Sequence, residues 1–211
     1  HFDGKYWYLT FGFEYSENKA KLDYNLSIGI DLGIKDLAYV SCFNKPIKNI
    51  NKSVKVKKLK KRLIRLQKQV SRKYEANKSG DRYNKTSNII KLEKEIKLLH
   101  RKLNNIRNNH LHQTTKMIVK LNPYRVVMED LNVTGMMKNK HLSKAIAEQK
   151  FYEFIRQIKY KCEFNNIEFL QVDRFYPSSK TCSSCSSIKQ DLKLKDRIYH
   201  CDKCGLTIDR D

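Results

Sequence analysis

The sequence predicts an α/β fold: a mixed sheet with helices packed on it, a basic helical hairpin inserted between strands, and a four-cysteine ribbon near the end. Three observations predict it. Short apolar strands alternate with helical segments, the pattern of a sheet with helices laid on it. Residues 54–121 carry a sustained three-and-four apolar spacing. Cys182-Ser-Ser-Cys185 and Cys201-Asp-Lys-Cys204 then form two CxxC pairs fifteen residues apart, the ligand spacing of a tetrahedral zinc.

The elements follow in chain order. Residues 5–15 alternate, with Trp7, Leu9, Phe11 and Phe13 on one face, which is strand periodicity. No hairpin partner lies nearby, so the rest of that sheet is expected upstream of residue 1. Residues 26–42 read as a hairpin: Leu26–Asp31, a turn at Leu32–Asp36, then Leu37–Cys42, with a short third strand at Pro46–Ile50. From Val54 the period becomes helical. Leu59, Leu63, Leu66 and Val70 recur at four, three and four. After a break at 77–81, Ile89, Leu92, Ile96, Leu99, Leu103 and Ile106 alternate three and four. That is a coiled-coil seam, and two such helices joined by a Gly-containing loop predict an antiparallel hairpin. Asn122-Pro123 ends the second helix. Tyr124–Met128 reads as a buried strand, Leu142–Phe164 as one amphipathic helix and Ile167–Val172 as another short strand.

The formal charge of the 211 residues is +22, and residues 52–120 hold 22 Lys/Arg against 4 Asp/Glu, which is +18 of it. So few anions leave the hairpin few i,i+4 partners, and self-repulsion would destabilise it unless a polyanion binds. Nucleic acid is the expected partner. Lys57, Lys58, Lys61, Arg62, Arg65, Lys68, Arg72 and Lys73 are the densest candidates for phosphate contact. Tyr74, Tyr83, Phe175 and Tyr176 are candidates for base stacking, although each also fits a packing role.

No apolar run approaches the ~18 residues of a membrane span, and no signal peptide opens the chain. Four cysteines sit at metal spacing, while Cys42 and Cys162 fall in apolar segments and read as buried thiols. That usage fits a reducing cytoplasm. Frequent Lys, Asn and Ile suggest a prokaryotic source, and the charge suggests association with the nucleoid. The beginning at His1 and the end on a motif read as a piece of a longer chain.

Three acids sit where a strand or the chain stops: Asp31 in Gly29-Ile-Asp-Leu-Gly33, Glu129 after the Val-Val-Met strand, and Asp211. Alone, each fits a plain role as a turn residue, a strand end or cap, or a surface acid. Together, carboxylates mounted at the ends of strands favour a nuclease site holding two Mg²⁺ ions ~3.5–4 Å apart, a pair that clamps the attacking and leaving oxygens of a phosphodiester. The four thiolates complete a tetrahedron, so the zinc would be structural and His200 a bystander.

Jointly these motifs resemble the TnpB (OrfB) family of transposon-encoded proteins, relatives of the type V CRISPR effectors. The matching pieces are Gly29-Ile-Asp-Leu-Gly-Ile-Lys-Asp-Leu-Ala38, the basic run 59–67, and Val126-Val-Met-Glu-Asp-Leu-Asn132 with Gly135-Met136. Asp173-Arg-Phe-Tyr-Pro-Ser-Ser-Lys-Thr-Cys182, Cys201-Asp-Lys-Cys-Gly205 and Asp209-Arg-Asp211 complete the set.

The resemblance implies an RNase H-like (RuvC) nuclease core over residues 26–174 that includes the hairpin 54–121. It also implies a zinc-ribbon, target nucleic-acid-binding insertion over 175–208 and a third nuclease motif at 209–211, with residues 1–15 as the last strand of an upstream wedge-like domain. Asp31, Glu129 and Asp211 would bind magnesium and carry catalysis; Cys182, Cys185, Cys201 and Cys204 would bind zinc. The activity implied is that of an RNA-guided DNA endonuclease, with a guide RNA and target DNA as partners. Ser186 departs from the glycine usual after the first CxxC, and the helix usual after the third acid is not present. The alternative is a module that holds RNA or DNA without cleaving it. A transposase working through a Tyr nucleophile has no paired histidines to support it.

Overall fold

A computed structural model describes residues 2–14, 21–174, 176–177, 180–192, 196 and 198–209. The central sheet has five strands: β1 (Asp23–Leu32), β2 (Asp36–Val40), β3 (Ile47–Lys48), β6 (Pro123–Glu129) and β7 (Glu168–Val172). Their order is β3-β2-β1-β6-β7. The first three form an antiparallel meander, whereas β6 and β7 run parallel to β1 and to each other. The parallel pairs require crossovers, and those are the two helical stretches of the chain.

Between β3 and β6 the chain rises through a 3₁₀ turn (Ile50–Lys52) into α1 (Val54–Ala76), where the Ser53 hydroxyl accepts from Val56 N as the N-cap. A two-rung hairpin of β4 (Lys78–Ser79) and β5 (Arg82–Tyr83), turning at Gly80 with φ +59°, takes the place of the expected loop. The return helix α2 (Ser87–Val119) has 33 residues. Its first part forms the predicted seam: Leu92, Ile96, Leu99, Leu103 and Ile106 pack on Val56, Leu59, Leu63 and Leu66 of α1. Its last turns belong to a different core. There Leu111, Ile118 and Val119 join Ile28 and Ile30 of β1, Leu37, Ala38 and Val40 of β2, Val126 and Met128 of β6, and Phe154, Ile158 and Cys162 of α5 (Phe151–Phe164). Asn122 turns the chain from α2 into β6 at φ +48°, a conformation that Asn tolerates well.

Two expectations are corrected, and the strand expected at 5–15 is not seen among the described residues 5–14: the only pairing there is an isolated Phe2–Trp7 bridge, and Trp7, Leu9, Phe11 and Phe13 are all exposed. Alternation marks a strand only where a neighbour takes up the backbone hydrogen bonds, and none lies beside these residues among those described. Residues 142–164 are two helices, α4 (Ser143–Gln149) and α5, because Lys150 adopts the left-handed conformation (φ 56°, ψ 46°). Its ammonium bonds the side-chain oxygens of Asn104 and Asn108 on α2 (2.6 Å to Asn108), and the break lets α5 turn Phe151 and Phe154 inward. Cys42 is exposed in the turn after β2, whereas Cys162 is buried. A short α3 (Val133–Met137) follows β6, capped by Asn132, whose Oδ1 accepts from Gly135 N at 2.9 Å. A Cβ on Gly135 would lie 2.5 Å from Asn132 Nδ2, so this cap requires glycine.

Among the described residues no helix is long and apolar enough to cross a membrane.

Candidate metal centres and nucleic-acid face

The register of β1 and β6 decides where Asp31 and Glu129 stand. Gly29 pairs with Val127 and Ile30 with Met128. One step further, Asp31 and Glu129 come level on neighbouring parallel strands, roughly 4.8 Å apart. Side chains alternate along a strand, so Ile28, Ile30, Val126 and Met128 face the buried core while Gly29, Asp31, Val127 and Glu129 face the other way. Asp31 is exposed and Glu129 half-buried. On the far side of Asp31, β2 sets Tyr39 opposite it; on the far side of Glu129, β7 sets Val172. Two carboxylates on one open face offer only hard oxygen donors, which suits Mg²⁺. Next to them, Asp130 is ion-paired with Arg174, and its N–H donates to Val172 O at 2.9 Å. Asp211 lies outside the described residues; the backbone of Asp209 ends β9 (Thr207–Asp209), which pairs with β8 (Ile198–His200).

The second centre is sulfur. The Sγ atoms of Cys182, Cys185, Cys201 and Cys204 all lie within 4.8 Å of one another and could hold one metal ion. Cys182–Cys204 and Cys185–Cys201 are each 3.5 Å apart, against about 3.8 Å between ligands of an ideal tetrahedron with Zn–S bonds of 2.3 Å. Two knuckles of identical design build it. Ser186 N donates to Cys182 O and Gly205 N to Cys201 O, both at 2.9 Å; Cys182 N donates to Ser187 O and Cys201 N to Leu206 O, both at 2.8 Å. The pivot residues, Ser186 (φ 58°) and Gly205 (φ 74°), are both left-handed. The Ser187 hydroxyl lies 3.1 Å from Cys185 Sγ and 3.2 Å from Cys201 Sγ. That hydroxyl is the main reason the Cys201 thiol is pulled down to about 5, and it lowers Cys185 as well. His200 is outside that group of ligands, and its Nδ1 lies 2.8 Å from Thr207 Oγ1.

On α1, all eight candidate cations are exposed. Lys57, Lys61, Arg65, Lys68 and Arg72 recur at four, four, three and four, which puts them in one stripe on the side opposite the apolar seam, about 22 Å long. Of the eight, Arg62 is ion-paired with Glu95 at 3.4 Å, both half exposed, a contact worth little in water. Lys60, outside the set, pairs with Glu148. The tyrosines are committed elsewhere: Tyr74 and Tyr83 meet edge to face with centroids 6.1 Å apart, and their hydroxyls donate to Glu93 (2.6 Å) and Glu75 (3.2 Å). Tyr176 is exposed, and Phe175 lies outside the described residues.

Sequence reasoning missed the amides that hold the turn after Asp31. Asn49 Nδ2 donates to Ile34 O (2.9 Å) and Gln149 Nε2 to Gly33 O (3.1 Å). The available signal was Gln149 itself, a polar residue three positions after Ile146 on the buried side of α4.

Residues 10–140 match the OrfB family, described as a probable transposase, and residues 151–211 match the TNB domain of Cas12f1-like proteins. A Streptomyces pristinaespiralis protein named as a proposed RNA-guided DNA endonuclease is 31% identical over 185 residues, 88% of this chain and 42% of the relative. The Escherichia coli K12 protein InsQ, named likewise, is 29% identical over 223 residues, 97% of this chain and 51% of the relative. The chain thus spans about half, or less, of the length of these relatives. A Cas12f1–sgRNA–target DNA complex solved by cryo-EM shares the fold, with a TM-score of 0.55 at 18% identity, over 91% of this chain and 49% of that one. With its matched residues covering well over half its length, the chain belongs to the TnpB (OrfB) family.

Proposed function

We propose that this chain is the nuclease portion of an RNA-guided DNA endonuclease, with an RNase H-like (RuvC) core over 26–174, a zinc ribbon over 175–208 and the third nuclease motif at 209–211. The observation that carries this reading is the level placement of Asp31 and Glu129 on one open sheet face. The names of the relatives and the nucleic acids in the Cas12f1 complex support RNA and DNA as partners.

In this reading Asp31, Glu129 and Asp211 supply oxygen ligands to two Mg²⁺ ions. What such a pair supplies when bound is activation of water and stabilisation of the leaving 3′-oxygen. The chain's own part is to hold the carboxylates at a fixed separation on a rigid sheet, and to offer the stripe of α1 to a phosphate backbone without reading its sequence. Cys182, Cys185, Cys201 and Cys204 hold a structural zinc with no open position for chemistry.

The test is Mg²⁺-dependent nicking of plasmid DNA, with Asp31→Ala and Glu129→Ala as controls. Activity in the wild type and its loss in both variants is the expected result. Equal background in all three would leave a nucleic-acid-binding module that does not cleave.

A further inference from the structure

The turn that follows Asp31 is held from a distant part of the chain. Gln149, the last residue of α4, is 3% exposed, and its Nε2 donates to Gly33 O (3.1 Å) and reaches Ile34 O (3.4 Å). The Ile34 carbonyl also accepts from Asn49 Nδ2 at 2.9 Å. Gly33 N in turn donates to Leu37 O at 3.2 Å, closing the turn. Two side-chain amides therefore cap the carbonyls of the turn that begins two residues after Asp31.

Gln149 is itself seated firmly. Glu148 beside it pairs with Lys60 of α1 and with Arg107 of α2 (3.5 Å). Its carbonyl accepts from Asn51 Nδ2 (2.9 Å), and Asn51 Oδ1 accepts from Arg107 Nε (2.8 Å). Lys150, on the other side, is bonded to α2. Three consecutive residues at the α4–α5 break thus tie the turn after Asp31 to the base of the helical hairpin.

We propose that Gln149 is a positioning residue for Asp31: its amide fixes the turn so that the Asp31 carboxylate keeps its separation from Glu129. This rests on the reading of Asp31 and Glu129 as ligands of a divalent cation. Mg²⁺ demands near-ideal octahedral geometry, so a turn free to shift misplaces one ligand and weakens the site. Loss of an outer-shell partner characteristically lowers metal affinity by about 10- to 100-fold.

The test is titration of the chain with Mn²⁺, a spin-active stand-in for Mg²⁺, read by electron paramagnetic resonance. Gln149→Met keeps the volume and removes both donors; its half-saturating Mn²⁺ is expected to rise about tenfold, with full occupancy restored at high metal. A residue that merely supports the fold would lower thermal stability or the number of competent sites and leave the half-saturation point where it was. That result overturns the proposal. Asn49→Ala, which removes one of the two amide donors to the Ile34 carbonyl and also the Oδ1 that accepts from Asn51 N, leaves the Gln149 bond to Gly33 in place and should shift the titration in the same direction by less; it serves if Gln149→Met does not fold. Asp31→Ala separates the two levels. If it binds Mn²⁺ like the wild type, the metal-site reading itself fails. If it loses binding while Gln149→Met and Asn49→Ala titrate normally, only the positioning role of Gln149 fails.

Discussion

Exchanging the pivots of the two cysteine knuckles gives a paired test of the ribbon. Ser186 and Gly205 occupy equivalent places, each donating its N–H at 2.9 Å to the carbonyl of the first cysteine of its pair, and both are left-handed. A residue with a Cβ pays about 1–2 kcal/mol for that conformation, and glycine gives back roughly 0.5–1 kcal/mol through its greater freedom in the unfolded chain. Ser186→Gly should therefore stabilise the ribbon by about 0.5–1 kcal/mol. The Ser186 side chain is exposed, so little packing is lost. Gly205→Ser should cost a similar amount, because an added Cβ there meets no atom within 4 Å and only backbone strain remains. With the four cysteines read as a zinc site, metal binding is linked to ribbon folding, so the change is expected to appear as zinc affinity: about two- to fivefold tighter for Ser186→Gly and two- to fivefold weaker for Gly205→Ser. Competition against a fluorescent zinc chelator reads both. Ser186→Gly binding zinc no better than the wild type, or Gly205→Ser binding equally well, would refute the assignment of strain to these pivots.

Two further outcomes are expected. Hydrogen bonding to Arg156, opposed by burial and aided by Gln157, holds the Glu153 carboxyl down to about 2, well below its ordinary value of 4.5; the stability it adds is complete above pH 4.5 and is lost as pH falls toward 2, so the difference in melting temperature between wild type and Glu153→Gln should shrink over that window, and a constant difference would show that the pairing contributes nothing. Replacing Lys61, Arg65 and Lys68 together by alanine should lower the slope of log K against log salt for duplex DNA by up to about 2.7, at about 0.9 per phosphate contact; an unchanged slope would place the phosphate contacts elsewhere.

The parts of the fold legible in the sequence were those whose periodicity has one physical source. The seam of α1 and α2 was readable because each apolar position meets its counterpart on the facing helix. β1 and β6 were readable because one face of each is buried, and β2 because Leu37, Ala38 and Val40 are all buried; in β7, Phe169 packs against the core from a partly buried position. The run at 5–15 had the same alternation without a neighbouring strand, and periodicity alone cannot tell the two apart. The break at Lys150 left no mark because lysine carries no left-handed signature; what holds it is a pair of asparagines on α2, over 40 positions earlier in the chain. Asp31 and Glu129 could be placed at strand ends, but their coming level depends on a register between strands that lie almost a hundred residues apart. The amide cap of Gln149 on Gly33 depends on the same long-range placement and was invisible for the same reason.

The 33 residues of α2 make a rod about 50 Å long, one end clamped in the hairpin seam and the other in the sheet core. With continuous helix between the clamps, no hinge absorbs a load. Whatever pulls on the cationic stripe is transmitted as torque on the layer beneath β1 and β6, and each degree of tilt at the sheet displaces the far end by roughly 0.9 Å, the arc of so long a lever.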